Sequence, residues 1–292
     1  MPEGKIVKAL SGFYYVLTAD GVVTQCRGRG VFRKNKITPL VGDMVVFQAE
    51  NEQEGYIMDV LPRKNELVRP PISNIDQAIL VFSAMEPEFS TSLLDRFLVL
   101  IESKYVTPLI CISKMDLLEE EEKLLEFASY YRKIGYEVVM TSTKEPEQLK
   151  EILPFLRDKT SVIAGQSGVG KSSLLNVLRP ELDLKTNNIS THLGRGKHTT
   201  RHVELMEINQ GFVADTPGFS SLEFLELEAD EVKECFPEFV EKSEHCKFRG
   251  CTHIKEPKCA VKDAVEKGDI ATYRYEHYFS FVEEIKDRKP RY

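Results

Sequence analysis

The sequence predicts a multi-domain α/β protein: an N-terminal OB-type β-barrel, a central parallel sheet built around a phosphate loop, and a C-terminal helical metal-binding region. Three observations carry that prediction. Five short β-prone runs crowd the first 63 residues. Strands then alternate with helices around a Gly-x-x-x-x-Gly-Lys-Ser pattern, and three cysteines and a histidine gather near the C-terminus. The implied domains are 1–63, 64–222 and 223–292.

The chain has 292 residues, 42% hydrophobic and 29% charged, enough to bury a sizeable core. No apolar run reaches the ~18–20 residues a membrane span needs. Met1-Pro2-Glu3-Gly4-Lys5 has no signal-peptide core behind it. The expectation is a cytoplasmic monomer with no membrane association. A net charge of −7 argues against broad nonspecific nucleic-acid binding, because an acidic surface repels phosphates. One local basic run, Arg27-Gly28-Arg29-Gly30-Val31-Phe32-Arg33-Lys34-Asn35-Lys36, reads either as a solvated loop or as an RNA contact.

In the first region the β-prone runs are 5–10, 14–19, 22–26, 43–49 and 56–61. Asp20-Gly21 is a hairpin signal, and Gly42-Asp43 opens another strand. Strands this short and this closely spaced suggest a small closed barrel. The OB type is the commonest that binds oligonucleotides, although an SH3-like barrel gives a similar pattern. Residues 62–71, with prolines at both ends, read as a linker. Strands at 77–84, 109–113, 137–141 and 161–164 then alternate with helices at 93–102, 120–134, 147–156 and 171–178. That alternation means a parallel sheet covered on both faces. Runs 203–208 and 211–214, joined through Asn209-Gln210, add an edge hairpin. From about Leu222 the chain turns acidic and helical, ending in helical patterns at 262–266 and 273–285.

Gly165-Gln166-Ser167-Gly168-Val169-Gly170-Lys171-Ser172 fits the phosphate-loop pattern without a mismatch, between a strand and a helix that continues with Ser173. The glycines let backbone N–H groups turn inward around anionic oxygens at a helix N-terminus. Lys171 would neutralise the β- and γ-phosphates, and the Ser172 hydroxyl would bind Mg²⁺. Asp215-Thr216-Pro217-Gly218 follows an apolar strand. Asp215 would hold Mg²⁺ through water, and the Gly218 amide would sense the γ-phosphate. Between these motifs lies Gly194-Arg195-Gly196-Lys197-His198-Thr199-Thr200-Arg201-His202, with the composition of a loop that closes on a γ-phosphate. Thr199 or Thr200 is the candidate Mg²⁺ ligand there.

Ser113-Lys114-Met115-Asp116 ends the 109–113 strand and resembles the N-K-x-D element of GTPases. An Asp carboxylate so placed accepts both N1–H and the exocyclic N2–H of guanine, a pairing adenine does not offer. The Lys114 stem would pack over the purine. Ser113 replaces the usual Asn and offers fewer hydrogen bonds. Thr141-Ser142-Thr143, one strand and helix later, looks like the short S-A-K-type element whose backbone N–H supports guanine O6. Both base elements precede the phosphate elements, the reverse of the usual order. Chain order does not matter if the same strands lie side by side, as in a circular permutation.

Cys246, Cys251, His253 and Cys259 are four soft ligands in a chain with no secretion signal, which describes a closed structural zinc site rather than disulfides. Cys235 reads as a core thiol, and His245 lies too near Cys246 to join it. Lys247, Arg249, Lys255 and Lys258 would ride on the zinc knot as an RNA-facing platform.

Together with Asn74-Ile75-Asp76-Gln77, Leu94-Asp95-Arg96-Phe97 and the cysteine-rich module, these features resemble, along the whole chain, the circularly permuted GTPases of the RsgA/YloQ family. The resemblance implies a circularly permuted P-loop GTPase domain with GTP, GDP, Mg²⁺ and Zn²⁺ as its ligands. It also implies slow GTP hydrolysis stimulated by the small ribosomal subunit, a role in that subunit's maturation, and contact with its rRNA through the barrel and the metal module. At the position after Gly218, where many GTPases carry a water-orienting Gln, this chain has Phe219, which cannot hold water. His198 is the internal alternative; a group from the ribosome is the other. Two further readings stay open. One is an RNA-binding assembly module without meaningful turnover, for which Phe219 and Ser113 leave room. The other is a P-loop ATPase or small-molecule kinase, against which Asp116 argues.

Overall fold

The structure is a computed structural model that describes residues 1–179, 203–215 and 223–288, apart from positions 31, 33–36, 50, 52–53, 69 and 143. Five strands form the barrel: β1 (Glu3–Leu10), β2 (Phe13–Leu17), β3 (Val23–Gly28), β4 (Met44–Ala49) and β5 (Glu54–Val60). They close in the order β1-β2-β3-β5-β4, with β3 parallel to β5 and β4 returning to β1. This is the OB arrangement, which decides against the SH3-like alternative. Successive side chains of a strand point to opposite faces, so alternate residues fill the barrel. Ile6, Val16, Cys26, Val45, Phe47 and Ile57 are all buried.

The 62–71 stretch is more ordered than its prolines suggest. Here β6 (Glu66–Leu67) pairs with β7 (Ile72–Ser73). Arg63 reaches back to the fully buried Asp43, with two nitrogen–oxygen contacts of 2.8 Å. Ser73 donates its hydroxyl to the same carboxylate at 2.6 Å. Local proline chemistry gives no sign of this distant charge pair.

The central region runs β8 (Gln77–Ser83), α1 (Thr91–Glu102), β9 (Thr107–Ser113), α2 (Glu122–Lys133) and β10 (Glu137–Met140). It continues with a 3₁₀ helix (Pro146–Ile152), α3 (Leu153–Leu156), β11 (Thr160–Ala164), α4 (Lys171–Leu178), β12 (Leu205–Ile208) and β13 (Gly211–Asp215). The sheet order is β10-β9-β8-β11-β13-β12, parallel throughout except for the edge hairpin β12–β13. Every residue of β8 and β11 is buried, which is why these strands read as unbroken apolar runs. From β8 the chain builds outward through β9 and β10, then crosses back to β11 and builds the other way. The reversal between β8 and β11 opens a crevice at their carboxyl ends, where α/β sheets take ligands.

The barrel leans on the sheet through β1. Lys5 donates to Thr160 Oγ1 at 3.0 Å, its ammonium lies 4.9 Å from the Phe212 ring centre, and Lys8 pairs with Glu204 at 2.9 Å.

A 3₁₀ turn (Val232–Cys235) precedes α5 (Pro237–Ser243), α6 (Ala260–Glu266) and α7 (Thr272–Asp287). Their core includes Phe236, Phe239, Val261, Tyr278, Phe281 and, from the central region, Val99. The same joint holds a buried charge cluster. Arg274 is fully buried and bonds Asp95 of α1 at 2.6 Å and Glu238 of α5 at 2.7 Å. Tyr131 donates its hydroxyl to Asp95 at 2.6 Å, and His277 Nδ1 lies 2.6 Å from the other Asp95 oxygen.

Candidate functional site

The phosphate loop begins where β11 ends. Gly165 sits at φ +143°, and a Cβ there would lie 2.1 Å from the Val81 carbonyl oxygen of β8, so the loop's close approach to the sheet requires glycine. Gly170 precedes α4 at φ +97°. Val169 is buried and fastens the loop into the core that also holds Leu174 and Leu175 of α4. The Lys171 ammonium folds over the loop, donating to the carbonyls of Gly165 at 2.8 Å and Gln166 at 2.5 Å. Gln166, Ser167 and Gly168 form the exposed crest, and Ser172 and Ser173 are half-buried on the first turn of α4. A helix start preceded by a glycine-rich turn and carrying an ammonium group suits a polyphosphate.

The base elements lie on the same edge of the sheet, because β9, β10 and β11 are all parallel. Ser113 is the last residue of β9. Its hydroxyl donates to the Val169 carbonyl at 2.5 Å, across the carboxyl end of β8. It therefore faces the phosphate loop and ties the two motifs together. Lys114 follows in a left-handed conformation at φ +60°, and its ammonium donates to the Glu86 carbonyl. The Met115 amide donates to the buried Thr141 carbonyl at 3.1 Å, which joins this turn to the end of β10. Ser142 then donates its hydroxyl to Asp116 Oδ1 at 3.0 Å, and its own amide donates to Gln148 Oε1 at 3.1 Å. Gln148 carried no signal in the sequence. Its position follows from Leu149, Ile152 and Leu156, whose spacing buries one face of the 146–156 helical segment against α4.

Asp215 closes β13, beside β11, at the same edge. Its side chain, along with His198, Thr199, Thr200, Gly218, Phe219 and Thr143, lies outside the described residues. Of the basic run, Arg27 and Arg29 are described; the Arg27 guanidinium lies 4.9 Å from the Phe13 ring centre. Arg29 lines a cavity of about 470 Å³ with Gln48, Tyr56 and Met58.

The C-terminal cluster is compact. The ligating atoms of Cys246, Cys251, His253 and Cys259 all lie within 4.8 Å of one another. His253 Nδ1 is 3.3 Å from Cys259 Sγ and 3.7 Å from Cys246 Sγ, and those two sulfurs are 3.9 Å apart. A tetrahedral zinc with Zn–S of ~2.3 Å and Zn–N of ~2.0–2.1 Å separates its ligands by roughly 3.5–3.8 Å. The residues therefore fit that ion. Burial pushes the His253 imidazole down to about 4, keeping it neutral, as a metal ligand must be. Two tyrosines of α7 hold the ligand loop: Tyr275 donates to the His253 carbonyl and Tyr278 to the Thr252 carbonyl, each at 2.6 Å. Cys235 is buried outside the cluster, and His245 is not part of it. Lys233, Lys247 and Arg249 line a cavity of about 480 Å³ next to it. Among the described residues no helix is long and apolar enough to cross a membrane.

Comparison with known proteins agrees with this architecture. The RsgA GTPase family matches residues 60–225, and the RsgA N-terminal domain matches residues 3–57. A small ribosomal subunit biogenesis GTPase RsgA of Bacillus cytotoxicus is 68% identical over the full length of both chains. The protein of the same name from Bacillus subtilis (strain 168) is 64% identical, again over both full lengths. The crystal structure of YloQ, a circularly permuted GTPase, superposes with a TM-score of 0.87 at 59% identity, covering 100% of this chain and 97% of that one. YjeQ from Thermotoga maritima gives 0.86 at 38% identity, covering 99% of each chain. With the phosphate loop on β11, the guanine-type motif on the earlier strand β9 and full-length relatives at this identity, the chain belongs to the RsgA family of circularly permuted GTPases.

Proposed function

We propose that this protein hydrolyses GTP to GDP and phosphate while bound to the small ribosomal subunit, assists that subunit's late maturation, and is stimulated by it. The observation that carries the reading is the Ser113–Val169 hydrogen bond, which couples a guanine-reading turn to a phosphate loop across one crevice. The partner follows from the relatives named as small ribosomal subunit biogenesis GTPases.

In this reading Asp116 accepts the two N–H groups of guanine and Lys114 covers the ring. The amides of residues 165–170 and Lys171 take the phosphates. Ser172, Asp215 through a water, and one of Thr199 and Thr200 would hold Mg²⁺, which would supply neutralisation of the phosphates' negative charge. Gly218 reports the γ-phosphate. The apolar Phe219 leaves the attacking water to His198 or to a group from the ribosome, so hydrolysis is slow in the free protein. Zinc in the Cys₃His cluster is structural, since four protein ligands leave no open position. The acidic chain meets rRNA through local basic patches, around Arg27 and Arg29 on the barrel and around Lys247, Arg249, Lys255 and Lys258 beside the zinc. It acts as a cytoplasmic monomer of three domains, 1–63, 64–222 and 223–292.

The test is GTP turnover by the purified protein, alone and with small ribosomal subunits, alongside Asp116→Asn. Stimulation by the subunit, with loss of guanine preference in the variant, is expected. Equal rates with and without the subunit would remove the ribosome from the account.

A further inference from the structure

We infer that Gln148 is a positioning residue for guanine recognition, acting on Asp116 through Ser142. The inference rests on the reading of Asp116 as the base-binding carboxylate.

The chain of contacts is short. Gln148 Oε1 accepts the Ser142 amide at 3.1 Å, the Ser142 hydroxyl donates to Asp116 Oδ1 at 3.0 Å, and Gln148 Nε2 donates to Glu145 Oε2 at 2.5 Å. The Ser142 hydroxyl also accepts the Lys144 amide at 3.0 Å, which aims its one hydrogen at Asp116. Gln148 is thus bonded to both Ser142 and Glu145. Its neighbour Leu149 is only 7% exposed, and Leu149 and Ile152 share a core with Leu174 and Leu175 of the phosphate-loop helix. The carboxamide is therefore carried by a segment that cannot drift from the phosphate site. A carboxylate that must meet two N–H groups at once needs its plane fixed, and one oxygen of Asp116 is held by Ser142 for that purpose.

A guanine base uses both N1–H and the 2-amino group, whereas hypoxanthine has no 2-amino group and asks less of the carboxylate's orientation. Loosening Asp116 therefore penalises guanine more. Gln148→Met keeps the side chain's length and removes both hydrogen bonds. Dissociation constants for GDP and IDP, measured by calorimetry, are the readout. In Gln148→Met, GDP binding should weaken roughly five- to tenfold, the scale of one or two lost hydrogen bonds. IDP binding should weaken by no more than about twofold, so the preference for GDP over IDP falls. The exchanged pair Glu145→Gln with Gln148→Glu retains an acceptor for the Ser142 amide and a bond between the two side chains, and restores the preference. Equal weakening of GDP and IDP would make Gln148 a scaffold residue and overturn the inference, as would no change in either. A wild-type protein that does not distinguish GDP from IDP or ADP would instead fail the base-site reading itself.

Discussion

Arg96 stacks on Phe224, its guanidinium 4.7 Å from the ring centre, and lies 4.8 Å from the ring centre of Phe281, which packs beside Phe224 at 5.2 Å. Arg96 belongs to α1 and Phe281 to α7, while Phe224 lies a few residues beyond Gly218 and Phe219 in the chain. The Phe224 ring is 3% exposed, and its carbonyl accepts from Arg288 at the end of α7. The chain leaving the Asp215-Thr216-Pro217-Gly218 motif is thus gripped by both the central sheet's helix and the C-terminal helix. Phe224→Ala should destabilise the protein by about 3–5 kcal/mol through the lost aromatic core contact. Arg96→Ala should cost about 1–2 kcal/mol. Urea unfolding of the two single variants and the double variant checks this; strict additivity would mean the stacking contributes nothing.

Much of the site was legible because local rules govern it. The phosphate loop needs glycines and a lysine at fixed offsets on a strand-to-helix turn, and one stretch of chain supplies all of them. The four residues of the Cys₃His cluster lie close in sequence for the same reason. What stayed hidden was long-range. Ser113 reads as a weakened Asn until Val169, in the loop after a strand that is not adjacent to β9, is seen to accept its hydrogen. Gln148 is an ordinary polar residue until the core packing of Leu149 turns it toward Ser142. Arg274, on a helix rich in charged residues, reads as a surface group although it is completely buried. Its partners Asp95 and Glu238 are distant in sequence, so no pattern in one helix predicts its burial.

That burial makes a sharp prediction. Replacing Arg274 with Met fills a similar volume but leaves Asp95 and Glu238 in an apolar joint without their cation. Removing one partner of a buried ionic group costs about 3–5 kcal/mol. Burial opposes the Arg274 charge, yet Asp95 and Glu238 overcome it and hold its pKa well above the usual arginine value, so it stays charged at any ordinary pH. Arg274→Met should therefore lower the unfolding midpoint sharply. Combining it with Asp95→Asn and Glu238→Gln, which removes the stranded charges, should recover part of the loss in calorimetry.

The zinc assignment predicts one zinc per chain by elemental analysis. Cys251→Ser should lose it, while Cys235→Ser, outside the cluster, should keep it. Chelation should free the 252–258 loop, whose carbonyls at Thr252 and His253 hold the hydroxyls of Tyr278 and Tyr275. Since the chain has no tryptophan, the near-ultraviolet dichroism of tyrosine reports this directly. An unchanged tyrosine signal after complete metal removal would contradict a folding role for the ion.

Glu256 gives that loop its pH dependence. Burial opposes its ionisation, but the amide and hydroxyl of Thr252, both at 2.7 Å, its own backbone amide and the Ile254 amide at 3.1 Å outweigh it and hold the carboxyl at about 2. The folded value lies below the unfolded one, so Glu256 stabilises the protein fully above the ordinary carboxylate range. That contribution fades as pH falls from there toward 2. A glutamine at this position cannot carry the charge. The stability gap between wild type and Glu256→Gln should accordingly be constant from about pH 8 to 6 and begin to shrink below about pH 5. The titrations are run with excess zinc and its retention is checked at each pH, because loss of the ion would free this loop and close the gap by itself. Denaturant titrations at half-unit pH steps measure the gap, and a gap that stays level down to about pH 4 would show that the four hydrogen bonds do not act on the charged form.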